Sequence, residues 1–519
     1  MAPYVSNTSR PVFALIGLPE VVKGALFARY SRSPKPLRRL LIDEFLPADG
    51  DTPLRGPAEG PGGGRAEALY DRMLAEYGDD SVAQLGGAHI AVEGASNLLT
   101  KVLQWGRLAS YLEQSTRYIA FTDRPGGDYR YHRPAEVMAD AGLGPEYVRI
   151  LDGAFEGYAR LLPRLVEHVG AGVPHDPTTP AAARERAVRA RALDLLRGLL
   201  PAATTANVGI YASGQAYEAM LIRMGAHPLP EARACARSML AELRTVIPAF
   251  LTRVDRPDRG VATGEYLAAG ERAAAGLTAR LGLGSPEAPA GPGVRLVDFD
   301  PDGEARVLAH AMWPSSGGGL AGLRERVAAL SPAERTDALR EWAGSRGDRR
   351  HRPGRALEAT TYTFEVVCDY GAYRDLQRHR MLSLQAQPLG PRLGYAIPGE
   401  VSAAGCGDDY AAIQAGCVAL HDALAERFAA AAPYAVTLAH RIRFTMTMNA
   451  REAMHLIELR SQPQGHDSYR AVAQEMHRRI ADTAGHHAIA AMMTFVDASD
   501  PGAGRLASER RLEARRAAR

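Results

Sequence analysis

The stretch QRHRMLSLQAQ, residues 377–387, decides how this chain is assembled, because it has a counterpart. Set beside QWGRLASYLEQ, residues 104–114, it matches at Gln377 and Gln104, Arg380 and Arg107, Ser383 and Ser110, and Gln387 and Gln114. Each pair lies 273 residues apart. The lead-in segments agree as well: HIAVEGASNLLTKVL sits opposite TFEVVCDYGAYRDL, each reading as a short strand followed by a helix. Downstream, IRMGAHPLPEAR (222–233) sits opposite LRSQPQGHDSYR (459–470), with Arg223 against Arg460 and Arg233 against Arg470, both 237 apart. The shorter offset puts extra residues in the first copy, the stretch AGVPHDPTTPAAAR (171–184) being the natural candidate. We read a tandem duplication: a first domain over 1–284, a linker over 285–293 and a second domain over 294–519.

The bulk properties narrow the class. A chain of 519 residues exceeds one ordinary core, so two or more domains are expected. A hydrophobic share of 46% and a charged share of 23% suit a globular protein. The net charge of +3 is too small for a whole-chain binder of nucleic acid or membrane surface. No apolar run approaches a bilayer span, and the N-terminus lacks a signal-peptide core. Cys235, Cys368, Cys406 and Cys417 are scattered with no CxxC pair, which reads as reduced thiols in the cytoplasm and no metal site.

Apolar residues recurring at three and four predict helices over 146–168, 181–200, 216–225, 231–246, 321–343, 409–431, 450–459 and 469–493. Alternation predicts strands at 87–94, 294–299 and 360–367. The expected fold class is α+β, helix-dominated, with small antiparallel sheets. Loops are expected at 47–65, 284–293 and 345–355. The GGG runs at 62–64 and 317–319 read as flexible loops and not as phosphate cradles.

The chemistry gathers in the repeated motifs. The run Arg378-His379-Arg380 followed by a Ser/Gln-rich stretch, together with the Glu113-Gln114-Ser115-Thr116-Arg117-Tyr118 of the first copy, resembles the signature of the flavin-dependent thymidylate synthases (ThyX). Neither copy holds all of it. The second copy has Pro388 where the family has serine, with Arg392 and Tyr395 displaced. The first has WGR where the basic trio belongs, but places Ser115 eight residues after Arg107, as the family pattern requires. The family's Asn-Ala-Arg helix matches NAREAMHLIELR (449–460). In the first copy, ASGQAYEAMLIR (212–223) keeps only the closing Arg223. Arg197 in RGLLP matches the family's arginine ahead of Leu-Pro, whereas the early Gly-His-x-Ser element keeps only Ser81.

This resemblance implies two tandem ThyX-like domains and a reductive methylation of dUMP to dTMP with FAD, methylenetetrahydrofolate and NADPH. It implies flavin contacts from Arg378, His379, Arg380, Asn449, Arg451 and His455, because fixed cations answer a reduced flavin and its diphosphate. It implies nucleotide contacts from Glu113, Gln114, Ser115, Thr116, Arg117, Arg197 and Arg223, with Ser115 and Arg117 suited to a phosphate. Arg460 is the catalytic candidate, a cation placed to activate the uracil ring. Each half lacks what the other keeps, so the expected site is composite. The flavin platform would come from the second copy and the phosphate clamp from the first, in a homodimer that mimics the family tetramer. Modification of another pyrimidine nucleotide, or nucleotide binding without catalysis, stays open. Taken singly, several of these residues also suit structural roles: Ser115 and Arg117 at a helix start, His455 in a core, Arg223 and Arg460 at helix C-termini.

Overall fold

The computed structural model describes residues 2–30, 33–46, 83–173, 179–284 and 291–499. The loop expected at 47–65, Ser81, and 285–290 of the expected linker lie outside these residues. Along the chain run α1 (Glu20–Tyr30), β1 (Gly87–Ser96), α2 (Asn97–Leu103), β2 (Ala109–Glu113), α3 (Leu143–Gly172), α4 (Ala181–Leu196), β3 (Thr205–Ser213), α5 (Gly214–Ala226) and α6 (Pro230–Arg244). There follow α7 (Ala262–Arg280), β4 (Gly293–Phe299), α8 (Gly303–Ser316), α9 (Leu320–Ala328), α10 (Pro332–Ala343), β5 (Thr361–Asp369), α11 (Tyr370–Leu376) and β6 (Ser383–Ala386). The last are α12 (Gly407–Arg427), β7 (Arg441–Asn449), α13 (Ala450–Arg460), α14 (Asp467–Asp482) and α15 (His487–Ala491). Helix dominates, and both sheets are small and antiparallel, as expected.

Two compact units result: Met1–Gln114 with Thr205–Pro286, and Ser115–Thr204 with Glu287–Arg519. Packing therefore cuts across the division expected near residue 290, because the helical stretch 115–204 of the first copy folds with the second. The reason is an apolar stripe. Along α3, Tyr147, Leu151, Ala154, Phe155, Tyr158, Leu161, Leu162 and Leu165 recur at three and four and are buried. That stripe meets α4 and α12 within the second unit. At Gly157 a Cβ would lie 2.2 Å from Ile413 Cδ1, so a larger residue there would have to displace the Ile413 side chain from between α3 and α12.

The first unit holds a sheet of order β1-β3-β2, the second one of order β4-β5-β7-β6. Removing the edge strand β4 leaves β5-β7-β6, the same order as β1-β3-β2, with every pairing antiparallel. The duplication read from the sequence is thus repeated in topology. In β7, Ile442, Phe444, Met446 and Met448 are buried while Arg441, Arg443, Thr445 and Thr447 alternate outward. Two expected helices are broken. The run 321–343 divides at Ser331, whose hydroxyl and Glu334 form a capping box that starts α10. The run 469–493 divides before α15 at Gly485, which takes φ +70°. Gly317 ends α8 in the left-handed region, so the second GGG run is a helix stop. Among the described residues no helix is long and apolar enough to cross a membrane.

Candidate functional site

In the second unit a pocket of about 180 Å³ is lined by Ser115, Thr116, Arg117, Tyr118, Arg197, Gly371, Arg374, Asp375, Arg378, Arg460 and Tyr469. Segment 115–118 and Arg197 come from the first copy; the others come from the second. Five arginines face one carboxylate. Asp375 accepts from Arg197 Nη1 at 3.5 Å and lies 3.4 Å from Arg378 Nη1. Burial opposes its charge, but Arg378 and Arg197 hold it well below the usual carboxylate range. With Asp375 ionised, the cations still outnumber the anions.

The arginines differ in how far they are committed. Arg117 donates Nε and Nη2 to Asp194 at 2.7 and 2.9 Å, Nη1 to the Tyr469 hydroxyl at 2.8 Å, and Nη2 also to the Gln464 carbonyl at 3.0 Å. Expected as a phosphate fork, Arg117 instead has its own fork filled by a buried carboxylate. It braces the pocket wall. Burial works against its charge, and Asp194 more than reverses that, raising it. Arg197 is the opposite case. It is 3% exposed, and its Nη2 has no hydrogen-bond partner among the described residues. That nitrogen sits beside Gly371, where a Cβ would lie 3.1 Å from it. An unpaired buried guanidinium nitrogen is costly unless a ligand oxygen meets it. Ser115 Oγ accepts from the Arg117 N–H at 3.1 Å, which leaves its own hydrogen to donate.

Arg460, at the C-terminal end of α13, donates Nε to His379 Nε2 at 3.0 Å, and its guanidinium carbon lies 5.5 Å from the Tyr469 ring centre. His379 was expected to face the flavin. It turns inward instead, 6% exposed, with Nδ1 3.0 Å from Glu452 Oε1. Asn449 is likewise committed as the cap of α13, accepting from Glu452 N–H at 2.9 Å. Arg451 donates to the Pro353 carbonyl at 3.3 Å, and His455 Nδ1 lies 2.9 Å from Arg352 Nη2. Burial pushes His455 down to about 4. Arg378 is exposed on the pocket and Arg380 is half-buried outside its lining.

Three expected nucleotide residues fall in the first unit. Glu113 pairs with Lys101 Nζ at 3.1 Å and accepts from Gln104 Nε2 at 2.8 Å. Gln114 donates its N–H to the Asn207 carbonyl. Arg223 donates to the Val102 carbonyl at 3.0 Å, and burial pushes it down to about 10. The sequence reading missed Asp194, Arg374, Asp375, Tyr469 and Glu452. Arg374 and Asp375 were within reach, since they sit one helical turn ahead of Arg378. A second cavity of about 840 Å³ in the same unit also touches Arg197; Val294, Val367, Ile397 and Val472 give it apolar walls, with His466 and Asp369 among its polar groups.

Fold and pocket together define an α+β protein built from two repeated copies, with an arginine-lined pocket drawn from both. The family described as Thymidylate synthase complementing protein matches residues 43–249 and again 295–484, so the chain belongs to that family, in a tandem form. A Chlamydia muridarum (strain MoPn / Nigg) protein named UPF0159 protein is 36% identical over 518 residues, covering 99% of this chain and 97% of that one. A flavin-dependent thymidylate synthase of Mycobacterium sp. (strain JLS) is 27% identical over 183 residues, covering 35% of this chain and 68% of that one. The crystal structure of Thymidylate Synthase X from Helicobacter pylori with FAD and dUMP aligns over 39% of this chain and 99% of that one, at 15% identity and a TM-score of 0.30.

Proposed function

We propose that the chain is a flavin-dependent thymidylate synthase that converts dUMP to dTMP in the pocket between segment 115–118 and α11–α13, with FAD as cofactor and methylenetetrahydrofolate and NADPH as co-substrates. The observation that carries this reading is the buried, unpartnered Arg197 Nη2 in a pocket that also holds Ser115 and Arg460. A phosphate meets Arg197 and the Ser115 hydroxyl. The uracil edge meets the Nη groups of Arg460, whose positive charge stabilises negative charge developing on the ring. Among the described residues the pocket is lined by arginines and by no cysteine, which leaves the activating charge to Arg460.

The donor set fits a flavin in part. Arg378 and Arg380 would offer their charge to an anionic ring or diphosphate, whereas the His379 ring and the Asn449 Oδ1 are engaged within the protein. FAD, when bound, supplies the hydride for the reductive step. The two ThyX-like copies, 1–284 and 294–519, give a homodimer the four copies of a family tetramer. Its place is the cytoplasm, where Cys235, Cys368, Cys406 and Cys417 stay free.

The test is turnover by the purified chain with dUMP, UMP and dCMP in parallel, given FAD, methylenetetrahydrofolate and NADPH. dTMP formation from dUMP alone is the expected result. Turnover of another pyrimidine nucleotide moves the reading to that substrate, and a flavin-free protein that binds none of the three overturns it.

A further inference from the structure

We propose that Glu452 and His379 form a positioning relay that fixes Arg460 toward its ligand; this deepens the nucleotide reading and rests on it. The proton positions follow from one certainty. An arginine Nε carries a hydrogen throughout the range where proteins fold. Arg460 Nε lies 3.0 Å from His379 Nε2, so that ring nitrogen accepts and is bare. The neutral ring must then carry its proton on Nδ1, which lies 3.0 Å from Glu452 Oε1. Glu452 therefore accepts. Reversing any one proton would set two donors against each other.

The relay is built into the fold. Glu452 is the third residue of α13, and its N–H is held by the Asn449 cap at 2.9 Å. His379 follows α11 and is 6% exposed, and Glu452 is 7% exposed, so water does not compete. Burial and then the Arg460 charge keep His379 well below its ordinary value, so the ring stays neutral as the relay requires. Burial also raises Glu452; the carbonyl oxygen of the acid form accepts as the carboxylate does. With Nε tied back and Tyr469 beside the guanidinium plane, Nη1 and Nη2 are left for the pocket. His379, Glu452 and His455 bring ligand atoms within 4.8 Å of one another, as a metal triad would. Two features oppose a metal: N–H groups of Arg460 and Arg352 already meet His379 Nε2 and His455 Nδ1, and their charges repel a cation.

The experiment uses the full chain with nitrogen-15-labelled histidine and no nucleotide, and reads the His379 tautomer by NMR. Wild type should show Nδ1–H, Glu452→Gln should keep it because an acceptor oxygen remains, and Glu452→Leu, which leaves Nδ1–H without its acceptor, should free the ring to turn from Arg460 and exchange between tautomers. A wild-type Nε2–H tautomer overturns the relay whether or not the nucleotide reading stands. In dUMP titrations, Glu452→Leu and His379→Phe should each weaken binding about 10–100-fold, the scale of lost supporting hydrogen bonds at sites. The double variant should be no worse than either single one, because both cut the same chain. Multiplying losses, or wild-type dUMP affinity in Glu452→Leu, overturns the proposal. So does stoichiometric Zn²⁺ binding by wild type that Glu452→Leu abolishes. If His379→Phe fails to fold, the two Glu452 variants decide alone. If wild type binds no dUMP, the nucleotide reading fails, and the tautomer still judges the relay.

Discussion

Where the second copy has Arg374, the first has Lys101; where the second has Asp375 and His379, the first has Val102 and Gly106, all at the 273 offset. The backbone around them is the same strand, helix, strand arrangement, but the charges are handled in opposite ways. Lys101 is buried against Glu113, a carboxylate of its own unit. Position 386, which matches Glu113, is alanine in the second copy, and Arg374 reaches the Thr116 hydroxyl at 3.4 Å on the pocket wall. Arg223 and Arg460 match as well. Arg223 donates to a backbone carbonyl, while Arg460 has the relay behind it. At Gly106 a Cβ would come 2.8 Å from the Tyr111 hydroxyl, so a ring like that of His379 would have to displace Tyr111, and α5 opens Gly214-Gln215-Ala216 with no carboxylate. One duplicated scaffold can thus gather cations around a pocket in one copy and neutralise a matching cation internally in the other.

The largest effect should come from the matched arginines. Arg460→Leu should lower kcat by about 10²–10³-fold, the scale for losing one preorganised donor at developing charge. Arg223→Leu should leave kcat within about threefold, because its guanidinium donates to the Val102 carbonyl within the first unit and does not line the pocket. Steady-state kinetics of both variants checks this, and equal losses would erase the distinction between the copies. Next comes the buried pair. Glu113→Leu removes the carboxylate paired with Lys101, whose side chain is 7% exposed, and should cost about 3–5 kcal/mol in denaturant unfolding. The converse change, Ala386→Glu, gives the second copy the carboxylate it lacks and should weaken dUMP binding about tenfold by neutralising Arg374.

How much of this was legible depends on the kind of signal. The duplication was readable because matched residues at a constant offset survive divergence, and the topology repeats it. Long helices such as α3 were readable from their stripe. The destination of α3 was not, because a stripe says that a face is buried and not against which copy. Hence segment 115–204 was assigned to the first domain, though it packs with the second copy. β7 was missed although RIRFTMTMN alternates as cleanly as TTYTFEVV, because methionine and arginine carry weak strand signals. Ser115, Arg197, Arg378 and Arg460 were singled out by motif, and the structure brings them around one pocket. Their relative freedom was invisible. That Arg117 is filled by Asp194 while Arg197 keeps a bare nitrogen depends on pairings across 77 and 178 residues.

A smaller effect should appear on acidification. His227 ahead of α6 and His466 ahead of α14 accept backbone N–H groups from Leu229 and Ser468, at 3.1 and 3.3 Å, each ring meeting the N–H two residues further on. Burial, aided by Arg223 for one and Arg197 for the other, pushes each down to about 4. An unfolded histidine titrates near 6.5, so below that pH the unfolded chain takes up protons that the fold refuses. Stability should be flat above about pH 6.5 and fall between there and about pH 4. Melting temperature against pH for wild type and His466→Asn checks the sign, since the variant should lose part of the slope. An unchanged slope in both His466→Asn and His227→Asn would mean that neither ring is held neutral.

The finest difference lies at the caps. In the first copy Ser96 caps α2, accepting from Leu99 N–H at 3.0 Å, while its hydroxyl donates to Glu231 at 2.6 Å. In the second copy Asp369 caps α11, accepting from Ala372 N–H at 2.8 Å, and the hydroxyl of Ser468 donates to it. Ser96 matches Asp369 and Glu231 matches Ser468, so hydroxyl and carboxylate have traded places across one hydrogen bond. Removing either cap, by Ser96→Ala or Asp369→Ala, should cost about 1 kcal/mol. Ser96→Asp alone sets two carboxylates together and should be destabilising, because like charges sharing a site cannot both ionise cheaply. Adding Glu231→Ser writes the second copy's arrangement into the first and should restore stability to within about 0.5 kcal/mol of wild type, since neighbouring changes compensate where distant ones add. Denaturant midpoints of the single and double variants decide it: a double variant as unstable as Ser96→Asp would mean that the two caps only resemble each other, and that the copies diverged in backbone as well as in charge.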